Sequence, residues 1–409
     1  MLSAAPAAAS SDSTSPTSCE VGALPLSSLY RNMSDIISIH PSLLNLEKTD
    51  SHIANLFFGQ PLGLMDTINV HYPQLERLYK KVKSLDWDET EFDFEPCRIE
   101  FLKMGSIVAQ PMVRQIGWQW ETDSMVARML AQIMGVFLTD GPASDLYLEI
   151  ARQEIIHGRT YGEIVKFSFD DPNVVMSEIM EIKEHRQRLV TVAKVFREAY
   201  IASHELALGI RKRDQETFEI FVRFVFALFL TERGSFMNSF PITFSYGEAD
   251  MLMPICKAVQ KICQDEYESH ALAGAYLLDI IMSTGEGITA MYNNRNLFST
   301  MLHELHAVEK NNFDFLLCGQ DRLFDKPLRD FERWVDSCFG DIAKFVGIQT
   351  QFEVPKGNPL PWMKNWVNIS NIQAALQEEK NGAYLLGMVK RDDRDMKFED
   401  YGMPGLLQN

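Results

Sequence analysis

Of the nine histidines in this sequence, one has a glutamate three residues earlier, in the Glu154–His157 pair. In a helix, residues three positions apart project about 60° from each other and so share one face. Glu266–His270 has a spacing of four residues, which also brings two side chains to one face, about 40° apart. Helical bundles use inward-facing Glu and His of this kind to bind pairs of metal ions.

Two other histidine pairs are weaker candidates. Glu181–His185 lies in a strongly hydrophilic stretch, and we expect that stretch to face solvent. The pair His303–His306 has no second carboxylate at helical spacing and lacks the H-E-x-x-H spacing of zinc proteases, so we also expect a surface position for it.

Two further acidic residues lie inside otherwise apolar helical stretches. Glu232 follows the run from Phe224 to Thr231, and Asp123 lies between Trp118 and Val126. A carboxylate on a buried face is costly unless it is paired or coordinates a metal. A set of carboxylates and imidazoles suits iron or manganese better than structural zinc, which prefers thiolates. An isolated E-x-x-H is nevertheless weak, and a buried, hydrogen-bonded acid is the alternative for each residue.

Helical periodicity dominates the elements that would position these side chains. We predict long helices at residues 98–137, 143–168, 177–208, 215–240, 249–284, 287–315 and 326–346. Turn signals separate several of them, at residues 139–142, 170–172 and 283–287. Few strand patterns and no repeats are found, so the fold class is all-α, a helical bundle. We expect a flexible arm at residues 1–50, the bundle at 51–375 and a flexible tail at 376–409.

Composition excludes several classes of protein. The chain has 409 residues, with 39 Lys and Arg against 56 Asp and Glu, giving a net charge of −17. Such a chain does not bind nucleic acid or an anionic membrane by bulk electrostatics. No apolar run is long enough to span a bilayer, and no secretory or mitochondrial targeting pattern is found. The six cysteines contain no C-x-x-C, which favours a reducing, cytoplasmic location.

Several sequence blocks, taken in their order along the chain, resemble those of the small, radical-generating subunit of class I ribonucleotide reductase. The resemblance covers about residues 55–387. The matching blocks are Phe57-Phe-Gly-Gln-Pro61, Trp87, Asp123-Ser124, Glu154-x-x-His157-x-x-x-Tyr161, Glu232, Asp265-Glu266, Asn358-Pro-Leu-Pro-Trp362 and Tyr384-Leu-Leu-Gly387. The resemblance implies a ferritin-like bundle with a dinuclear metal site in its core.

The same resemblance implies how the ligands are divided between two metal ions. One ion would be held by Asp123, Glu154 and His157 and the other by Glu232, Glu266 and His270, with Glu154 and Glu266 bridging. The second pair has one residue more than the usual E-x-x-H of the family, which makes Glu268 a rival ligand. Since Glu268 points about 200° away from His270 in a regular helix, we retain Glu266 and expect a π-bulge there.

Further roles follow from the resemblance. Tyr161 matches the tyrosine that carries the radical, with Phe236, Phe240 and Ile262 matching the apolar walls of its pocket. Trp87 and Asp265 match an electron-transfer relay through His157. Tyr384 matches the tyrosine that passes the radical to the large subunit, and Glu378 an acid near it. The alternative for Tyr161 is a core tyrosine with a hydrogen-bonded hydroxyl, and for the tail a frayed terminus.

The resemblance therefore implies the small subunit of ribonucleoside-diphosphate reductase. It implies two iron ions per chain, with manganese or mixed metal as alternatives, dioxygen as oxidant, a homodimer, and a large-subunit partner bound through the tail. Two other functions stay open from the residues. One is a ferritin-like two-metal oxidase that acts alone; the other is a metal-storage bundle, which would need no Tyr161.

Overall fold

The computed structural model describes residues 56–59 and 65–367, and most of these residues lie in helices. The all-α prediction is therefore confirmed. The helices are α1 Pro73–Ser84, α2 Glu95–Lys103, α3 Ser106–Phe137, α4 Gly141–Ser168, α5 Pro172–Glu181, α6 Lys183–Ala207, α7 Gln215–Leu230, α8 Met237–Gly247, α9 Met253–Asp265, α10 Ala271–Met282, α11 Gly285–Leu316, α12 Leu328–Val346 and α13 Lys364–Val367. A two-stranded antiparallel hairpin, β1 Arg322–Leu323 and β2 Lys326–Pro327, precedes α12.

The predicted turn signals coincide with helix boundaries because their polar side chains cap the helix that follows. Asp140 accepts a hydrogen bond from the backbone N–H of Ala143 at the start of α4 (3.1 Å). Thr284 accepts one from Gly287 at the start of α11 (3.0 Å). Each cap satisfies an N–H group that has no partner inside its helix.

Three features of the helices differ from the prediction. The stretch 98–137 is broken at Gly105, where α3 begins, and the stretch 177–208 is broken at Ile182, where the backbone is extended. The helix α1 was not predicted at all, although it buries one apolar face through Leu75, Leu78 and Val82.

The centre of the bundle has two pairs of long helices. In the first pair, α3 and α4 pack along their lengths. In the second pair, the interrupted helix α7–α8 packs against the interrupted helix α9–α10. The interruptions are π-helical turns at Thr231–Phe236 and at Glu266–His270, and the two turns pack against each other. Pro241 lies inside α8 and has no N–H to donate to Met237, so the indole of Trp334 donates to that carbonyl instead (2.8 Å).

The short segment around Phe57 and Phe58 packs against the ends of the bundle helices. Phe58 donates its backbone N–H to Phe137 at the end of α3 (3.0 Å), and the neighbouring Phe57 packs on Phe221 of α7. The structure does not describe the expected arm at residues 1–50, the tail at 376–409 or Tyr384 and Glu378 within it. None of the described helices combines the length and the apolar character needed to cross a membrane.

Candidate metal centre

Four buried side chains meet at the middle of the bundle: Glu154 and His157 from α4, and Glu266 and His270 from the second π-helical turn. One ligand atom from each lies within 4.8 Å of the others. Among the described residues, this is the one group of three or more His, Cys, Asp or Glu with such geometry. It joins the two histidine pairs that the sequence singled out.

Each of the two glutamates reaches both imidazoles. The Oε2 of Glu154 lies 3.6 Å from Nδ1 of His157, and its Oε1 lies 3.1 Å from Nδ1 of His270. Glu266 has the same arrangement, with Oε1 and Oε2 at 3.2 Å from the Nδ1 atoms of His157 and His270 respectively. A carboxylate that directs one oxygen to each of two imidazoles is suited to bridge two ions that each bind one histidine.

Asp123 and Glu232 complete the set of acids around this group. Asp123, on α3, is fully buried, and its Oδ2 lies 3.8 Å from Nδ1 of His157. Glu232 lies in the first π-helical turn and is also buried. Burial raises the pKa of Glu232, and the charges of Glu266 and Glu154 raise it further.

The irregular spacing of Glu266 and His270 corresponds to a π-helical turn, as the sequence indicated. A π turn accommodates one extra residue within a helix and is frequent at functional sites. The rival residue Glu268 lies outside the cluster, because its carboxylate is paired with the amino group of Lys81 on α1.

Each imidazole also has a polar contact at Nε2, the ring nitrogen that does not face the cluster. Nε2 of His157 lies 3.1 Å from Oδ2 of Asp265, and the indole N–H of Trp87 donates to the same oxygen (2.7 Å). Nε2 of His270 lies 3.0 Å from Oε1 of Gln153. Because Asp265 and Gln153 accept from Nε2–H, Nδ1 of each ring is free to bind a metal ion. The sequence analysis missed Gln153, because the histidine that it contacts lies 117 positions away in the sequence.

Tyr161 lies one helical turn beyond His157 on α4 and is completely buried. Its hydroxyl has no hydrogen-bond partner among the described residues. Burial raises the pKa of Tyr161 far above its usual value, and the charge of Asp123 adds to this effect. Phe236, Phe240 and Ile262 are buried as well.

The polar atoms of the cluster fit a site for metal ions. Both oxygens of Asp123, Glu154 and Glu266, and Nδ1 of both histidines, are buried without a hydrogen bond. Burial alone would lower the pKa of His270, but Glu266 and Glu154 raise it to about 9. Burial and the charge of Glu154 raise the pKa of Asp123. Such a concentration of buried negative charge is relieved by divalent cations, which displace the protons of the imidazoles.

Two expectations for other histidines are wrong. His185 is buried rather than exposed, since its ring packs against Gly117, although Glu181 does face solvent. His306 is buried because its Nε2 lies 2.7 Å from Oδ1 of Asp336 and its ring stacks on Phe352. Both histidines lie on the buried faces of amphipathic helices. The charged residues that flank them in the sequence led to the expectation of a surface position.

Comparison with known proteins gives a consistent result. The family model "Ribonucleotide reductase, small chain" matches residues 65–359. The chain is 22% identical over 380 residues to the ribonucleoside-diphosphate reductase subunit beta of Buchnera aphidicola from Schizaphis graminum, covering 85% of this chain and 95% of the relative. It is 23% identical over 359 residues to ribonucleoside-diphosphate reductase 1 subunit beta of Escherichia coli O157:H7, covering 84% and 94%.

Solved structures share the fold. A ribonucleotide reductase R2 subunit from Clostridium botulinum superposes with a TM-score of 0.67 at 14% identity, covering 80% of this chain and 99% of that chain. Dimanganese(II)-NrdF from Streptococcus sanguinis superposes with a TM-score of 0.60 at 10% identity, covering 74% and 98%. The bundle is thus of the ferritin-like type expected. With a family match over most of its length, the chain belongs to the small-chain family of ribonucleotide reductases.

Proposed function

We propose that this chain oxidises its own Tyr161 at a dinuclear metal centre and passes the radical to a large subunit that reduces ribonucleoside diphosphates. The observation that carries the proposal is the buried group of Glu154, His157, Glu266 and His270, in which each glutamate reaches both imidazoles. When bound, a pair of redox-active ions supplies, with dioxygen, the oxidant for a one-electron oxidation of tyrosine.

The division of the ligands follows the two histidines. Asp123, Glu154 and His157 would hold one ion, and Glu232, Glu266 and His270 the other. The proximity of Asp123 to His157, and the electrostatic influence of Glu266 on Glu232, support this division. We propose iron as the metal, with manganese as the alternative, because carboxylate and imidazole ligands suit both.

Tyr161 would lose an electron to the loaded centre and its hydroxyl proton to a carboxylate of the cluster. We propose Asp123 as this acceptor, because its charge acts on the Tyr161 hydroxyl and raises its pKa more than the charges of Glu266 and Glu154 do. The complete burial of Tyr161 would exclude water and external reductants from the phenoxyl radical.

Trp87 and Asp265 would form the first part of an electron route that leads away from the centre. A single oxygen of Asp265 accepts from the Trp87 indole and from His157, so the three groups form one continuous hydrogen-bonded route. The Trp87 and His157 rings are also near parallel, with centroids 6.0 Å apart. From Trp87 the electron route would continue to Tyr384 and into the large subunit.

The proposed assembly is a homodimer that docks a large subunit through residues 376–409. Exposed apolar side chains at Leu148 and Ile155, seven residues apart on α4, support a self-association surface there. A cytoplasmic location is proposed because none of the five cysteines among the described residues forms a disulfide.

The proposal is tested by reconstituting the metal-free protein anaerobically with ferrous iron and then adding oxygen. We expect about two iron ions per chain and a tyrosyl signal in electron paramagnetic resonance. A parallel reconstitution with Mn²⁺ identifies the metal that supports the signal. Metal binding without a tyrosyl radical from either metal would instead favour a storage bundle.

A further inference from the structure

The second π-helical turn contains a carboxylate that the proposed metal centre does not use. Glu268 lies two residues from each of the proposed ligands Glu266 and His270. Its side chain is about one fifth exposed (21%) and is directed to α1, where it pairs with Lys81. A free carboxylate at this distance from the centre would be a rival ligand for the same ions.

The partner of Glu268 comes from a distant part of the sequence and is itself largely buried. The Lys81 side chain is only 10% exposed and lies on the face of α1 that also buries Leu78 and Val82. Salt screens a pair in such surroundings less than a surface pair. Loss of either partner would leave the other charge in the bundle without compensation.

We propose that Lys81 is a positioning residue for the metal centre. By binding Glu268, it fixes the π-helical turn with Glu266 and His270 towards the cluster and Glu268 towards α1. This inference rests on the proposed dinuclear site and adds to it a determinant of which carboxylates of the turn act as ligands.

A positioning role and a simple charge effect predict opposite results for Lys81. If Lys81 acted only through its charge, its removal would strengthen the binding of cations, and removal of the Glu268 charge would weaken it. If the pair positions the turn, removal of either partner weakens binding, and removal of both is no worse than removal of one.

The experiment measures Mn²⁺ affinity, with free Mn²⁺ followed by electron paramagnetic resonance, in wild type, Lys81→Met, Glu268→Gln and the double variant. We expect both single variants to bind about tenfold more weakly, as for other partners behind metal ligands, and the double variant to match them. The exchange-coupled signal of two adjacent ions should decline in the same variants. Lys81→Arg should restore both affinity and signal.

Lys80→Met is the matched control. It removes the same charge from the neighbouring position of α1, where Lys80 is 61% exposed and pairs with Glu76 on the surface, and it should bind as wild type does. Equal or tighter binding by Lys81→Met, or additive effects in the double variant, would overturn the inference. Failure of the wild-type protein to bind Mn²⁺ or Fe²⁺ at all would instead contradict the proposed metal centre.

Discussion

Two tyrosines of α4, Tyr147 and Tyr161, lie seven residues on either side of Glu154, and both are buried. Both hydroxyls lack a hydrogen-bond partner, and burial raises the pKa of both. They differ in their neighbours. Tyr161 is influenced by Asp123, Glu266 and Glu154, whereas the acid that influences Tyr147 is Glu232. Position relative to the cluster, rather than burial, therefore distinguishes the proposed radical site.

This difference gives a prediction with an internal control. Tyr161→Phe should keep the metal content of wild type but lose the stable tyrosyl signal after reconstitution with Fe²⁺ and oxygen, because only the oxidisable hydroxyl is removed. Tyr147→Phe removes an equivalent buried hydroxyl from the same helix and should retain the signal. The radical would be assigned to the wrong residue if Tyr161→Phe kept the signal and Tyr147→Phe lost it.

For individual residues, the sequence indicates candidate ligands where a metal-binding residue type occurs at helical spacing or within an apolar run. Glu154 and His157 share a helix face by their spacing alone, and Asp123 and Glu232 were recognised as acids within apolar runs. Gln153 and Lys81 were missed, because their roles depend on residues more than a hundred positions away. No local pattern specifies a contact of this kind.

The two π-helical turns carry three of the six proposed ligands, Glu232, Glu266 and His270. The second was expected, because the spacing between Glu266 and His270 has one residue more than a regular E-x-x-H pair. The first, Thr231–Phe236, carries only one proposed ligand, so no ligand spacing in the sequence indicates it. Similarly, the breaks at Gly105 and Ile182 lack the side-chain caps that Asp140, Asp171 and Thr284 provide at the starts of α4, α5 and α11.

The first π-helical turn can be tested through its carboxylate. Glu232→Gln keeps the size of the side chain but removes the charge, leaving one ion without a carboxylate of its own. We expect the metal content to fall to about half, because the other ion keeps Asp123, Glu154 and His157. Glu216→Gln, at the exposed start of α7, is the control and should bind as wild type does. Full loading of Glu232→Gln would indicate that Glu232 is only a buried, protonated acid.

For the whole molecule, the bundle accounts for storage and generation of a radical but not for its use. The route from the cluster through Asp265 ends, among the described residues, at Trp87, which is itself buried. Transfer to another subunit therefore needs a further group. We propose Tyr384 as that group, and the charged stretch from Lys390 to Tyr401 follows it in the sequence. We propose that this stretch, which is rich in charged residues and poor in apolar periodicity, is the segment that binds the large subunit.

The last prediction separates the two proposed roles of this tail. Truncation after Ala383 should leave folding, metal loading and the Tyr161 radical intact, because every proposed ligand lies before residue 271. It should abolish both binding to the large subunit and nucleotide reduction, since the docking segment and Tyr384 are removed together. Tyr384→Phe should retain binding in a pull-down but lose reduction, because phenylalanine has no hydroxyl and is much harder to oxidise. Tyr401→Phe, a tyrosine further along the same tail, is the matched control and should keep both. Full reduction by Tyr384→Phe would remove that residue from the radical route and leave the tail as a tether between the subunits.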